Sequence, residues 1–299
     1  MLQADPNFHG LSVIDENPYL PGGRNWYTNQ NNFFRSVSHL IIDQSKIPRD
    51  RECSGIHHQV AQATGLRRVH FEMPVGPNRC QGVRMENGSG GHMTSLTFRG
   101  GDIGIWAGNQ QFTVQNCRFI DCRRAISQHW CWTFVYHKIW VERCEVGLEM
   151  RVEPCDGGSE KEQAAASVIC VDWNIADTAK GFDIVSPRLG ARGSLLLSNV
   201  HTSGVSRIAT RSTRDWNRPS NGQSVVLLAP AHGQTKSEVH WSWQGDNRFF
   251  GTQTPSTGPV RLPRPKALLD ESGSLLSRPR PECKCAVKLQ VKRSAKISS

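Results

Sequence analysis

Short stretches of alternating apolar and polar residues recur along the chain at intervals of just over twenty residues. They place Leu96, Cys117 and Ile139 on one position, 21 and 22 residues apart, and Cys122 and Cys144 on another, 22 apart. No run of helical periodicity and useful length interrupts them, which excludes a helical repeat. A strand repeat of this length predicts a right-handed parallel β-helix, whose strands stack about 4.8 Å above their counterparts in the previous coil.

Glycine and amide side chains interrupt the alternation, most densely over residues 85–119. Inward positions of such a tube need Val, Ile, Leu, Phe and Cys, whereas its corners need Gly and Asn, because the chain takes positive φ there. The sequence therefore predicts an all-β chain with a partial parallel β-helix over 1–250. A Pro- and Gly-rich linker is predicted over 251–277, followed by a basic, disordered tail over 278–299.

The net charge of +10 is concentrated at the C-terminal end of the chain. Seven basic residues and one acid after position 277 supply +6 of it. Since no aromatic residue in this tail could stack on bases, we expect no nucleic-acid partner. The first residues are polar, and no apolar run has the length of a signal-peptide core or a membrane helix. We therefore expect no signal peptide in this chain and no membrane partner.

Cysteine and glycine motifs give no sign of a metal or a cofactor. Ten cysteines are too few for a disulfide scaffold in a chain of this length, and none stands in a CxxC pair. Cys53 with His57 and His58 lacks a second pair of zinc ligands. The glycine-rich stretches GSGGH and GGDIG lack the Lys-Ser/Thr of a phosphate-binding loop. We expect buried thiols, no metal site and no cofactor.

Several blocks are more specific than the repeat. They are WYTNQNNFFRSVSHLIID (26–43), GIHHQVAQATGLRRVHFEM (55–73), ENGSGG (86–91), GNQQFTVQNCRF (108–119) and RLPRPKALLDESGSLLSRPRP (261–281). Together they resemble the N-terminal β-helix of the fungal family 55 glycoside hydrolases, which are β-1,3-glucanases of the pectate-lyase-like β-helix group. The resemblance covers about residues 6–276, and its last block is similar to the linker that leads into a second β-helix in that family.

The resemblance implies an extracellular exo-acting enzyme that hydrolyses β-1,3-glucan with inversion, in a cleft between two tandem β-helices. An inverting enzyme needs two carboxyl groups about 6.5–9.5 Å apart, and the resemblance implies that they lie on the second β-helix. The family's GDG-containing first coil has no counterpart here, and the sequence after position 281 resembles nothing in the family. We therefore expect a chain truncated at both ends and catalytically incomplete.

Glu86 is a weak candidate for a catalytic carboxylate, because it lies in a glycine-rich turn that a sugar could approach closely. No partner acid stands near it in the sequence, and a single carboxylate cannot carry out an inverting hydrolysis. A solvated corner residue is the competing interpretation. Its neighbour Asn87 is a candidate substrate ligand in the same turn.

Four glutamines are further candidate substrate ligands: Gln59, Gln62, Gln110 and Gln111. An uncharged amide can donate to one sugar hydroxyl and accept from another, so this amide-rich surface suits a neutral polysaccharide such as β-1,3-glucan. Amide ladders that bond with their own neighbours are the competing interpretation.

Trp130 and Trp132 alternate on a predicted strand, so we expect both on one face, where they could stack on pyranose rings. Packing under a corner loop or between two β-helices is the competing interpretation for both.

Two other functions stay open. One is a non-catalytic carbohydrate-binding or vestigial β-helix protein. The other is a pectin-active β-helix enzyme, for which the chain lacks NTD, DD, GHG and RIK blocks and the dense acidic cluster of a calcium site.

Overall fold

The computed structural model describes residues 1–151, 164–185 and 194–211 and four short strands beyond them. The first ten strands are β1 (Leu2–Gln3), β2 (Ser12–Asp15), β3 (Ser36–Asp43), β4 (Cys53–His57), β5 (Gly65–Glu72), β6 (Cys80–Met85), β7 (His92–Thr94), β8 (Thr97–Arg99), β9 (Ile103–Ile120) and β10 (Arg124–Glu142). Then follow β11 (Val146–Arg151), β12 (Ala165–Ala176), β13 (Lys180–Val185), β14 (Ser194–Ser203), β15 (Arg207–Arg211), β16 (Arg214–Trp216), β17 (Ser224–Leu227), β18 (His240–Gln244) and β19 (Arg248–Thr252). A short 3₁₀ helix, Asn29–Asn31, lies between β2 and β3.

The strands up to β15 pair in parallel and wind into a tube with three faces. Face A contains β2, β4, β6, the starts of β9 and β10, then β11, β13 and β15. Face B contains β7 and the middle of β9 and β10, and face C contains β8 and their last residues. The predicted parallel β-helix is confirmed. Cys117 pairs with Ile139, as the repeat predicts.

Stacked apolar side chains fill the tube. Three phenylalanines of face C lie in register with ring centroids 4.7 Å apart: Phe71, Phe98 and Phe119. A column of small residues runs along face A beside them: Gly55, Gly82, Gly104, Ala125, Gly147 and Gly181. A Cβ at Gly82 would lie 2.5 Å from the ring of Phe98 and 2.6 Å from the carbonyl oxygen of Gly104. The phenylalanine rings therefore occupy the space that side chains at Gly55, Gly82 and Gly104 would need.

The residues with positive φ differ from one corner of the tube to another. Between faces B and C, positive φ falls on non-glycine residues of successive coils: His39, Arg68, Ser95, Asn116, Lys138 and Asp172. The expectation that Gly and Asn form the corners is therefore met here only at Asn116 and is wrong for the other residues of this corner. A single residue in the left-handed conformation costs only about 1–2 kcal/mol, which the stacking of the coils can offset. Between faces A and B, the coil that follows β6 does use glycine, at Gly88, Gly90 and Gly91.

Among the described residues, β15 is the last strand that pairs in parallel. Pairing is antiparallel for β15 with β16, for β14 with β17 and β18, and for β18 with β19. The predicted linker over 251–277, apart from the end of β19, and the predicted tail over 278–299 lie outside the described residues. Within the described ranges, no helix is long and apolar enough to cross a membrane.

Candidate functional site

A hydrogen-bonded network surrounds Glu86 at the start of the corner between faces A and B. Its Oε2 accepts from Nε2 of His57 at 3.0 Å, from Nε2 of Gln59 at 2.5 Å and from the hydroxyl of Tyr19. Its Oε1 pairs with Arg84 at 2.7 Å. Glu86 therefore holds strands β4 and β6 and the segment after β2 together.

The imidazole of His57 lies between two carboxylates. Asp15 ends β2, pairs in register with His57 on β4, and places its Oδ1 2.7 Å from Nδ1 of the ring. Burial alone lowers the pKa of His57, but the hydrogen bonds with Glu86 and Asp15 outweigh burial and raise it. For Glu86, burial raises the pKa, but the hydrogen bonds from His57 and Tyr19 and the charge of Arg84 together hold it well below its usual range. The arrangement is that of an imidazolium between two carboxylates.

This geometry is unsuited to glycoside hydrolysis by Glu86. A general acid of a glycosidase needs a raised pKa, whereas the pKa of Glu86 is lowered. The second acid, Asp15, is on the opposite side of the imidazole, so the ring of His57 fills the space that a glycosidic bond and a water molecule would need. The side chain of Glu86 is 19% exposed and fully engaged, so it is not a freely solvated corner residue either.

The network predicts a pH dependence of stability. Because the pKa of His57 is raised on folding, its contribution is complete below its ordinary pKa of about 6.5 and is lost as pH rises through the raised value. Because the pKa of Glu86 is lowered, its contribution is complete above about 4.3 and is lost as pH falls through the lowered value. Melting temperature should therefore fall as pH rises from 5.5 to 9. A His57→Gln variant should show a smaller fall, and an equal fall would contradict the assignment.

Trp130 and His129 support this corner from the next coils. The indole nitrogen of Trp130 donates to the carbonyl oxygen of Glu86 at 2.6 Å, and Trp130 is 7% exposed. The ring of His129 stacks on Trp106 at 4.2 Å, and burial lowers the pKa of His129 to about 4. Trp130, a predicted sugar platform, is therefore covered by the backbone of Glu86.

Four of the predicted ligands meet on the surface immediately beyond this network. Gln111 lies in register with Thr133, which places Gln110 beside Trp132 on the neighbouring strand. The backbone nitrogen of Gln110 donates to the carbonyl oxygen of Gly88 at 3.2 Å. The glycine turn is therefore the next element of the stack. We call six residues the corner strip: the exposed Gln62, Gln111 and Trp132, the half-buried Gln110, and the buried Ser89 and Gly90 beneath them.

Gly90 is the centre of the corner strip. A Cβ built on it would lie 3.4 Å from Cγ of Gln62 and 3.7 Å from Cγ of Gln111. Two exposed amides therefore flank a position that has no side chain, and its φ of 135° favours glycine. Oε1 of Gln62 accepts from the hydroxyl of Ser89 at 3.2 Å, which leaves its amide nitrogen to face a ligand. Trp132, at 56% exposure, forms one end of the strip.

The corner strip combines neutral donors and acceptors with an aromatic face and no charge of its own. Such a surface suits a hydroxylated, uncharged ligand, because amides bond to hydroxyls in either direction and an aromatic ring covers the apolar side of a pyranose. Asn87 lies between the strip and the Glu86 network, with its Oδ1 accepting from the amide of Gly88 at 2.9 Å. Gln59 is buried in the Glu86 network, where its Nε2 donates to Oε2 of Glu86 and to the hydroxyl of Tyr19.

Sequence reasoning missed the network around Glu86, namely its partners Tyr19, His57 and Arg84 and the second carboxylate on His57, Asp15. Asp15 and His57 stand 42 residues apart in the sequence and Tyr19 and Glu86 stand 67 apart, with no periodic signal joining them. Arg84 is the one residue of this network that the sequence could have indicated, because it stands two positions before Glu86.

Comparison with known proteins agrees with this fold. Residues 1–149 match the family model described as rhamnogalacturonase A/epimerase, pectate lyase-like. The chain is 41% identical over 218 residues to a "probable glucan endo-1,3-beta-glucosidase" of Arthroderma benhamiae and 28% identical over 291 residues to a "glucan 1,3-beta-glucosidase" of Cochliobolus carbonum. It is also 34% identical over 252 residues to the "non-secreted LysM effector LysM15" of Penicillium expansum.

These alignments cover most of this chain but a minor part of the relatives. They include 70%, 94% and 75% of this chain, and 24%, 34% and 18% of the three relatives in the same order. The chain thus spans about a third or less of each relative's length. It is a parallel β-helix with a pectate-lyase-like domain over residues 1–149, similar over most of its length to fungal proteins named as β-1,3-glucosidases.

Proposed function

We propose that this chain is the first β-helix of a family 55 type β-1,3-glucanase and that its corner strip binds β-1,3-glucan. The observation that carries the proposal is the flanking of Gly90 by the exposed amides of Gln62 and Gln111, with Trp132 exposed at the end of the same strip. The names of the relatives from Arthroderma benhamiae and Cochliobolus carbonum support glucan as the polymer.

We expect this chain alone to bind glucan without hydrolysing it. Glu86, the carboxylate in the network next to the corner strip, is held ionised by four partners. An inverting mechanism would need an acid with a raised pKa and a base that activates water, and we propose that a second β-helix supplies them in a full-length protein. The strip would then hold the glucan against that second β-helix.

Glucan binding by the 299-residue chain tests the proposal, with laminarin as the β-1,3-glucan in isothermal titration calorimetry. We expect the Trp132→Ala variant to bind at least tenfold more weakly, a loss of about 1.4 kcal/mol in binding free energy. The matched control is Trp140→Ala, because Trp140 lies on the same strand, β10, beyond the corner at Lys138. It should bind laminarin like the unchanged chain.

Acidic polymers separate glucan binding from a pectin-active function. The corner strip carries no cation to pair with a galacturonate carboxylate, and Arg84 nearby is already paired with Glu86 and Glu52. We therefore expect polygalacturonate and rhamnogalacturonan to bind at least tenfold more weakly than laminarin. Preference for either acidic polymer, or equal laminarin binding by the Trp132→Ala variant, would contradict the proposal.

A further inference from the structure

The corner strip continues along the tube beyond the predicted ligands. Three backbone hydrogen bonds connect successive coils at this corner: from Gln110 to Gly88 at 3.2 Å, from Ser89 to Val60 at 3.1 Å, and from Ala61 to Asn32 at 3.1 Å. The residues that follow Asn32 are Phe33 and Phe34. The same stack therefore runs from Trp132 at one end to an aromatic pair at the other.

Phe33 and Phe34 are presented to solvent in a fixed geometry. Phe34 is 80% exposed and Phe33 is 39% exposed, with ring centroids 6.2 Å apart. Phe34 also has a φ of 58°, an outlier for a bulky residue that turns the chain at this corner. Phe33 and Phe34 together form an exposed apolar patch, and such patches mark interaction surfaces and ligand-binding grooves.

Buried hydrogen bonds hold the aromatic pair in place. Asn32 is fully buried, and its Nδ2 donates to the carbonyl oxygens of Gln59 at 2.8 Å and Glu16 at 3.0 Å. Its Oδ1 accepts from Nε of Arg35 at 2.6 Å, and the guanidinium of Arg35 lies 5.1 Å from the ring of Tyr27. The residues on both sides of Phe33 and Phe34 are thereby fixed, so a ligand would lose little affinity in ordering the two rings.

We infer that the glucan site is an extended one, in which Phe34 with Phe33 forms a second aromatic platform four coil steps from Trp132. Four steps of about 4.8 Å separate the two platforms by about 19 Å, which is long enough for several pyranose rings in a row. The amides of Gln62, Gln110 and Gln111 lie between them. This inference rests on the proposed function, because it names how much of a β-1,3-glucan chain the same strip takes.

Chain length of the ligand tests the inference. Calorimetric titration of the 299-residue chain should give at least tenfold tighter binding of a β-1,3-linked glucose hexasaccharide than of the disaccharide, because the hexasaccharide can contact both platforms. Phe34→Ala should weaken hexasaccharide binding about tenfold and change disaccharide binding less than twofold if the disaccharide binds at Trp132. The matched control is Ile41→Ala, an exposed apolar residue on β3 at 44% exposure, which should change neither.

The outcomes separate the two proposals. Equal affinity for the disaccharide and the hexasaccharide, or normal hexasaccharide binding by the Phe34→Ala variant, would overturn the extended site and leave glucan binding at Trp132 intact. Absence of binding to laminarin and to both oligosaccharides would overturn the proposed function itself. Circular dichroism of each variant, compared with the unchanged chain, shows whether a lost interaction reflects lost fold.

Discussion

The Gly82→Ala substitution should lower the free energy of unfolding by about 3 kcal/mol. The new Cβ would meet the ring of Phe98 at 2.5 Å and the carbonyl oxygen of Gly104 at 2.6 Å, and neither can move freely. Phe98 is stacked between Phe71 and Phe119, and Gly104 is on the neighbouring strand of face A. Chemical denaturation followed by circular dichroism measures the effect.

Gly23→Ala is the matched control for this change. Gly23 has a φ of 79°, so alanine there is strained, but no atom lies within 4 Å of the added Cβ. The Gly23→Ala variant should therefore lose about 1 kcal/mol of unfolding free energy, from backbone strain alone. Phe98→Leu in the Gly82→Ala background should recover part of the loss by removing the ring contact. A Gly82→Ala variant as stable as the unchanged chain would contradict the packing of the phenylalanine stack against the glycine column.

Removal of the Glu86 carboxylate should be the second large effect, at about 3 kcal/mol of stability in the Glu86→Ala variant. The change leaves His57 fully buried with one of its two carboxylate partners and leaves Arg84 paired with Glu52 alone. The matched control is Glu52→Ala, since Glu52 also pairs with Arg84 at 2.7 Å but is 43% exposed. An exposed pair contributes about 1 kcal/mol or less.

A Glu86→Gln variant separates a structural role of Glu86 from a catalytic one. In a longer protein that hydrolyses laminarin, Glu86→Gln should keep most of the turnover rate at a temperature where it stays folded. Melting temperature should fall, because the amide loses the charge that pairs with His57 and Arg84. Unchanged melting together with a turnover reduced by a thousandfold or more would instead identify Glu86 as a catalytic acid.

The sequence was sufficient for the fold because the same local pattern repeats in every coil. Leu96, Cys117 and Ile139 could be placed on one position, since inward residues must return after each coil and the coil length sets the interval. The corner between faces B and C was not predictable in the same way. Arg68, Ser95 and Lys138 have no intrinsic preference for positive φ, and the stacking of neighbouring coils imposes it on them.

Only part of the candidate site could be predicted from the sequence. Gln110, Gln111 and Trp132 could be singled out because exposed amides and an aromatic residue in a glycine-rich stretch are unusual for a tube wall. The burial of Trp130 could not, since it depends on an irregularity in register between Gln128 and Trp130 and on the carbonyl oxygen of Glu86 from another coil. Trp130 and Trp132 alternate in the sequence, yet one is 7% and the other 56% exposed.

Footprinting of the 299-residue chain with a β-1,3-glucose hexasaccharide tests the central claim most directly, because it locates bound glucan without any substitution. Hydroxyl-radical labelling with mass spectrometry should show protection of Trp132 and Phe34 and of the peptides spanning 86–92 and 108–113. Trp140 and Ile41 should be labelled equally with and without the sugar. Protection confined to other surfaces, with Trp132 and Phe34 labelled as in the free chain, would contradict glucan binding at the corner strip.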